Sequence, residues 1–130
     1  MAGTIVANTI NTDTGVFTTN NAYLGVAKAW CKFYYNGTTA VIQGTPFNIS
    51  SITVNSNQDF TANFITNMND ANYSVIGLAG QNSANLNCIV IPQNTAGYTP
   101  TTSSFRFQNV YQNSSFAGSP NYIQVVVFGN

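Results

Sequence analysis

The chain has 130 residues, which is enough for one domain with a core of its own. Only 5% of the residues are charged, three basic against three acidic, so the net charge is zero, whereas about 25% charged residues is usual. Binding to nucleic acid or to a membrane surface needs a basic face that neutralises phosphates. We therefore expect no nucleic-acid partner. A hydrophobic content of 44% argues against a disordered chain.

The polar surface must be supplied by amides and hydroxyls, since 20 of the 130 residues are asparagine. A neutral, amide-rich exterior repels other molecules weakly and suits a protein that works in an assembly or outside a cell. No apolar run approaches the length of about 18 residues that a membrane-spanning helix needs, so we expect no membrane insertion. The N-terminus lacks the charged and apolar regions of a secretory signal, which predicts synthesis in a cytoplasm.

Residues 1–25 carry short apolar pairs, Ile5/Val6 and Val16/Phe17, among threonines and asparagines without a sustained period. We interpret this segment as an extended N-terminal arm that docks on a neighbouring subunit or a larger partner. The alternative is an edge strand folded back on its own domain. Residues 26–130 are predicted to form the β-domain.

The first strand of the domain has a clear alternation from residue 26 onwards. Its core face would carry Ala27, Ala29, Cys31 and Phe33, and its outer face Lys28, Trp30, Lys32 and Tyr34. Asn36-Gly37 predicts a hairpin turn, because both residues tolerate positive φ. A short strand over residues 40–43 is expected to end at Gly44-Thr45-Pro46.

Residues 47–78 predict three consecutive strands, which we interpret as a β-meander. Apolar residues alternate at Ile52/Val54, through 60–64 and at Tyr73/Val75. The breaks at 55–59 and 67–70 consist of residues that favour tight turns. A change of phase predicts a bulge near Ser50-Ser51.

The remaining strands are predicted at 86–91, buried on both faces, at 104–108 and at 121–128. Phe105 and Phe107 would point inward and Arg106 outward, while the closing strand is apolar at nearly every position and should be central or covered by another subunit. Residues 93–102 and 111–120 separate them as loops. About eight short strands with frequent turns predict an all-β fold, an antiparallel β-sandwich of jelly-roll-like or flattened-barrel form.

The side-chain inventory lacks the parts of an enzyme. The chain contains no His and no Glu, so a Ser-His or Cys-His pair and a His-based metal site are excluded. Asp59 and Asp70 are interpreted as turn residues in preference to a catalytic pair, and Asp70 with Asn67 and Asn69 as a turn in preference to a Ca²⁺ site. Cys31 and Cys88 are read as small buried apolar residues, with a disulfide as the alternative. We expect a non-enzymatic protein without cofactors.

Three stretches together resemble a module found at the C-terminal end of bacteriophage tail-fibre and other virion surface proteins. They read AKAWCKFYYNGT, FNISSITVNSNQDFTANFITNMNDANYSVIG and IQVVVFGN. The likeness covers residues 27 to about 78 and about the last eight residues. Cys31 stands where the family usually has valine, and the glycines of the family's turn are absent from residues 55–58, so that turn can differ in type.

The resemblance implies a homotrimeric virion protein made in the cytoplasm of a host bacterium. A trimer interface is then expected at Trp30 and Tyr34 and along the closing strand at Val125 and Val127. The N-terminal arm would join the chain to other virion proteins, such as the major capsid protein or a fibre shaft.

Two functions compete within this interpretation, a capsid decoration or cement protein and a receptor-binding tip of a tail or head fibre. A fibre needs a shaft that 25 residues cannot make, which favours the cement protein. A receptor-binding tip would recognise host surface glycan through aromatic and amide side chains in the two loops, namely Asn94, Tyr98, Tyr111, Gln112, Asn113 and Phe116. A secreted lectin-like domain unrelated to phage is the third candidate.

Overall fold

The computed structural model describes residues 9–12, 15–18, 25–80, 88–92, 99–111 and 122–129. All elements with described bounds are strands: β1 (Thr9–Thr12), β2 (Gly15–Thr18), β3 (Ala27–Tyr35), β4 (Ala40–Phe47), β5 (Ile49–Ser56), β6 (Asp59–Phe64), β7 (Ser74–Gly80), β8 (Cys88–Pro92), β9 (Ser104–Tyr111) and β10 (Tyr122–Phe128). The all-β prediction is confirmed.

Strands β3 to β10 form one antiparallel sheet in the order β4-β3-β10-β7-β8-β9-β6-β5. The sheet folds over on itself, because the ring of Phe33 on β3 lies 5.2 Å from that of Phe60 on β6, although four strands separate β3 from β6 in the sheet. The two halves enclose one core, as in a β-sandwich. The predicted fold class of eight antiparallel strands with sandwich-like packing is therefore confirmed at this level.

The core is built around aromatic rings that meet edge to face. Phe33 contacts Phe60 and Phe107, and Phe64 contacts Tyr73 at 5.5 Å with an interplanar angle of 81°. Such pairs contribute about 0.5–1.5 kcal/mol each beyond their buried area. The hydroxyl of Tyr73 lies 2.8 Å from the carbonyl oxygen of Thr101, which ties the segment after β6 to the start of β9.

The alternation predicted for β3 is confirmed, since Ala29, Cys31, Phe33 and Tyr35 are buried while Trp30 and Lys32 are exposed. The hairpin to β4 is confirmed too. Its loop spans residues 36–39, where Asn36 Oδ1 accepts hydrogen bonds from the backbone N–H of Thr38 and of Thr39. Only Gly37 of the predicted pair has a positive φ, at 95°.

The predicted end of β4 at residues 44–46 is wrong. The strand continues to Phe47, because Gly44 takes a positive φ of 71° and lets the backbone bulge between the pairs Lys32↔Gln43 and Trp30↔Phe47. Asn48, with φ 53°, then turns the chain directly into β5. Strands β4 and β5 thus lie at the two edges of the sheet although they are adjacent in sequence.

The predicted meander is half right. Strands β5 and β6 form a hairpin, with the register shift expected near Ser50-Ser51. Strand β7 does not pair with β6; it lies between β10 and β8. The reason is that β9 occupies the free edge of β6 through pairs such as Thr61↔Arg106, while residues after β6 bond to the 101–104 segment instead of reversing.

Strand β10 lies between β3 and β7 and is central, as predicted. The prediction that β8 is buried on both faces is wrong for Ile91, which is exposed. Strands β1 and β2 pair with each other through Thr9↔Thr18 to Thr12↔Gly15, as a sheet separate from the eight-stranded one. The rest of the predicted arm lies outside the described residues.

Candidate functional site

The two outer faces of the folded sheet differ sharply in chemistry. Strands β3, β10 and β7 carry Trp30, Val126 and Ile76 side by side, because Val126 pairs with both of the others. Leu78 lies one row further along β7. Trp30, Ile76 and Leu78 are 42%, 56% and 61% exposed. We call Trp30, Val126, Ile76 and Leu78 the apolar face.

Polar side chains share this surface with the apolar residues, because Gln124 on β10 pairs with Lys32 on one side and with Leu78 on the other. The ammonium of Lys32 lies 4.5 Å from the centre of the Tyr122 ring, within the range of a cation–π contact. The Tyr122 ring packs in turn on Gly80, where any Cβ would overlap it. The ammonium is thus held over an aromatic ring, and Lys32 lies in the same row of the sheet as Leu78.

The opposite outer face, formed by β5, β6 and β9, is polar and bonded to itself. The amide of Asn63 donates to Ser51 Oγ at 3.1 Å and to Thr53 Oγ1 at 3.0 Å, and the amide of Asn55 donates to Thr61 Oγ1 at 2.9 Å. These cross-strand bonds satisfy the polar groups in the monomer. We call this surface the polar face.

An ion pair anchors one end of the polar face. Arg106 donates through Nε and Nη2 to the two carboxylate oxygens of Asp59, at 2.7 and 2.6 Å. Burial raises the pKa of Asp59, but the hydrogen bonds from Arg106, Gln108 and Asn55 outweigh it and hold the pKa below its usual range. The interpretation of Asp59 as a turn residue missed this contact.

An open apolar cleft lies at the corner between β4 and β5. Its volume is about 510 Å³ and it is lined by Pro46, Phe47, Asn48, Ile65 and Thr66. Phe47 and Ile65 are 51% and 67% exposed. Because Phe47 is the cross-strand partner of Trp30, the cleft adjoins the apolar face. The exposure of Phe47 was not predicted from the sequence, since the left-handed turn at Asn48 that follows it has no alternation signal. Ile65 comes one position after Phe64, so its exposure agrees with the alternation of β6.

The residues predicted for a trimer interface differ in their exposure to solvent. Trp30 is exposed on the apolar face and Tyr34 is half-buried on the same strand. Val125 and Val127 are wholly enclosed by the core of their own chain, at 0% exposure. Their side chains point inward because β10 alternates and pairs on both edges, so they cannot contact another subunit; the outward residue between them is Val126.

The predicted glycan-binding loops are attached to described strand ends, which can be compared. Asn94, Tyr98, Gln112, Asn113 and Phe116 lie outside the described residues, and only the backbone of Tyr111 is described, in β9. The first loop ends where β9 begins, and the second starts where β9 ends. Eight residues of strand separate these anchor points by about 25 Å, so the two loops are attached at opposite ends of the domain.

The cysteines and acidic residues supply no reactive centre in the described part of the chain. Cys31 is a free, buried thiol, and burial raises its pKa to about 12; the alternative of a disulfide to Cys88 is therefore wrong. Asp70 Oδ1 accepts a hydrogen bond from the backbone N–H of Asn72 at 2.7 Å, as a turn residue does. Within the described ranges no group of three His, Cys, Asp or Glu side chains lies together, and no helix is long and apolar enough to cross a membrane.

Comparison with protein-family models, with curated proteins and with solved structures finds no match. The likeness of residues 27–78 to phage fibre modules therefore stays an expectation from the sequence, and function has to be argued from the two faces and the cleft.

Proposed function

We propose that this chain is a non-enzymatic structural protein on the surface of a bacteriophage particle, a homotrimeric decoration or cement protein. The observation that carries the proposal is the contrast between the two outer faces. The apolar face exposes three large apolar side chains, Trp30, Ile76 and Leu78, and a cluster of exposed apolar side chains is typical of an interaction surface.

The polar face supports the same assignment from the other side of the domain. Its amides and hydroxyls are bonded to one another within the chain, so it needs no partner and suits contact with water. A subunit with one apolar and one polar outer face has a defined inside and outside in an assembly. The near absence of charge, 5% of residues, favours an apolar interface over an ionic one.

The position of the subunit contact follows from the same geometry. We place it at Trp30 and its neighbours Val126, Ile76 and Leu78, with Tyr34 at the margin. The strands that carry these residues, β3, β10 and β7, span about 10 Å at a spacing of about 4.8 Å. A patch of this width is part of a stable interface, which buries about 800 Å² on each partner, so the cleft or the N-terminal arm has to supply the remaining area.

The first test of the proposal is the copy number of the chain in purified particles, measured by quantitative mass spectrometry against the major capsid protein. Hundreds of copies are the expected result for a cement protein. A few dozen or fewer would instead indicate the receptor-binding tip of a fibre, and none at all would leave a lectin-like protein outside the virion.

A second test concerns the proposed tether. Deleting residues 1–20 should leave a folded domain, because the eight-stranded sheet begins at Ala27, but the shortened chain should no longer join particles. The measurement is co-sedimentation with particles that lack the chain, with full-length protein as control. Equal binding of the shortened chain would exclude the tether.

A further inference from the structure

The cleft at the corner between β4 and β5 has a fixed shape. Thr66 donates its backbone N–H to Asn48 Oδ1 at 2.7 Å, and Asn48 returns a bond from Nδ2 to the Thr66 carbonyl at 3.1 Å. The backbone N–H of Ile65 donates to the Asn48 carbonyl at 3.2 Å. These three bonds hold Phe47 and Ile65 apart, so the cleft exists before anything enters it.

The chemistry of the lining indicates what the cleft can accept. Pro46, Phe47 and Ile65 are apolar, the polar groups of Asn48 that face Thr66 are already bonded, and none of the five lining residues is charged. Its volume of about 510 Å³ lies within the range of about 300–1,000 Å³ that is typical of ligand sites. The occupant should therefore be apolar and uncharged.

Phe47 and Ile65 are exposed, so the cleft leaves apolar surface for an occupant to cover. The first eight residues of this sequence, MAGTIVAN, match the cleft because they contain the apolar pair Ile5 and Val6 and no charged side chain. Fully extended, eight residues reach about 27 Å.

This segment lies close in sequence to the start of the eight-stranded sheet. Thr9 pairs with Thr18, so residue 8 enters the β1–β2 hairpin at the end where residue 19 leaves it. Only residues 19–24 then separate the hairpin from Gly25. The cleft lies near the start of β3, because Phe47 pairs with Trp30, three residues after β3 begins.

We infer that the cleft of each copy binds residues 1–8 of a neighbouring copy, with Ile5 and Val6 packed against Phe47 and Ile65. This inference rests on the proposed assembly of many copies. It names the surface on which the N-terminal arm docks, and it adds apolar area next to the apolar face.

The test is a disulfide cross-link between two different full-length chains. One chain carries Ile5→Cys and the other Ile65→Cys; the two are co-expressed, purified and oxidised. Both Cβ atoms must come within about 4.5 Å for the bond to form, and Ile65 is exposed, so its substitution should not prevent folding. The matched control pairs Ile5→Cys with Ile91→Cys, which is also exposed but lies on β8.

The expected result is a mixed dimer on a non-reducing gel, at least tenfold more abundant for Ile65→Cys than for Ile91→Cys, with the linked peptides identified by mass spectrometry. Equal yields for the two pairs would overturn the inference. A single chain that carries both Ile5→Cys and Ile65→Cys gives a second test. If it forms an internal disulfide while the mixed pair gives no dimer, the cleft holds the arm of its own chain and the inference is overturned.

A second measurement compares Phe47→Ser, deletion of residues 1–8, and both changes together in sedimentation experiments. If arm and cleft bind each other, each single change should weaken self-association by a similar factor and the combination by no more than either alone. Additive effects would contradict the contact. Particles rich in the chain but without the cross-link would overturn this inference and leave the proposed function standing.

Discussion

Asp59 is the acidic side chain whose partners are best defined in the structure. Its side chain is only 4% exposed, and that of Arg106 is 22% exposed. Because the folded pKa of Asp59 lies below the unfolded value of about 3.9, the ionised carboxylate stabilises the fold above that value. This contribution is lost as the pH falls through the folded pKa.

We therefore expect Asp59→Asn to lower the free energy of unfolding by about 1–3 kcal/mol at pH 7, the usual cost of losing a charged hydrogen-bond partner. The deficit should be smaller at pH 2 than at pH 7, because the wild-type contribution is lost as the pH falls through the lowered folded pKa of Asp59. Urea unfolding at both pH values measures it. Asp70→Asn serves as control, because the amide oxygen can still accept the bond from Asn72. A deficit for Asp59→Asn that is equal at both pH values would contradict the role of charge.

The contact between Asp59 and Arg106 also shows what the sequence does not reveal. The two residues are 47 positions apart. Local patterns predict only that Asp59 lies in a turn and that Arg106 faces outward from a strand. Knowing that β9 pairs with β6, which places Arg106 opposite Thr61, would have been sufficient to find the pair. That pairing depends on tertiary packing.

At the scale of elements, the strands with strict alternation could be predicted from the sequence, but the strands with which they pair could not. The closing strand, YIQVVVF, is apolar at nearly every position, so its sequence does not indicate which face is inward. Val125 and Val127 were expected at a trimer interface, but both are buried in the core of their own chain. The position of β7 in the sheet could not be predicted either, because β6 pairs with β9, a strand some forty residues later in the chain.

Strands β7 and β8 approach each other closely at Gly77, which gives a test of their packing. A Cβ on Gly77 would overlap the side chain of Val90, so Gly77→Ala should lower the free energy of unfolding by about 1–3 kcal/mol through overpacking. Gly25→Ala is the matched control, since a Cβ there meets nothing within 4 Å. Urea unfolding compares the two variants. Equal free energies of unfolding would show that β8 shifts to accommodate the added methyl group without loss of stability.

At the scale of the whole molecule, the decisive property is the contrast between its faces. Core packing and the hydrogen bonds of the polar face account for the stability of a single copy. Neither requires Ile76 or Leu78 to be apolar, since both side chains are more than half exposed. We propose that a partner covers these side chains, and self-association of the purified chain tests this proposal.

Ile76→Lys places a charge in the middle of the apolar face, next to Val126. If copies associate there, burying this charge is costly, and we expect the dissociation constant of the oligomer to rise at least tenfold. The free energy of unfolding should change by less than about 0.5 kcal/mol, as for other exposed sites. Thr53→Lys, exposed on the polar face, introduces the same charge and should leave association unchanged. Sedimentation velocity over a range of concentrations measures both, and a wild-type chain that stays monomeric throughout would contradict the homotrimer itself.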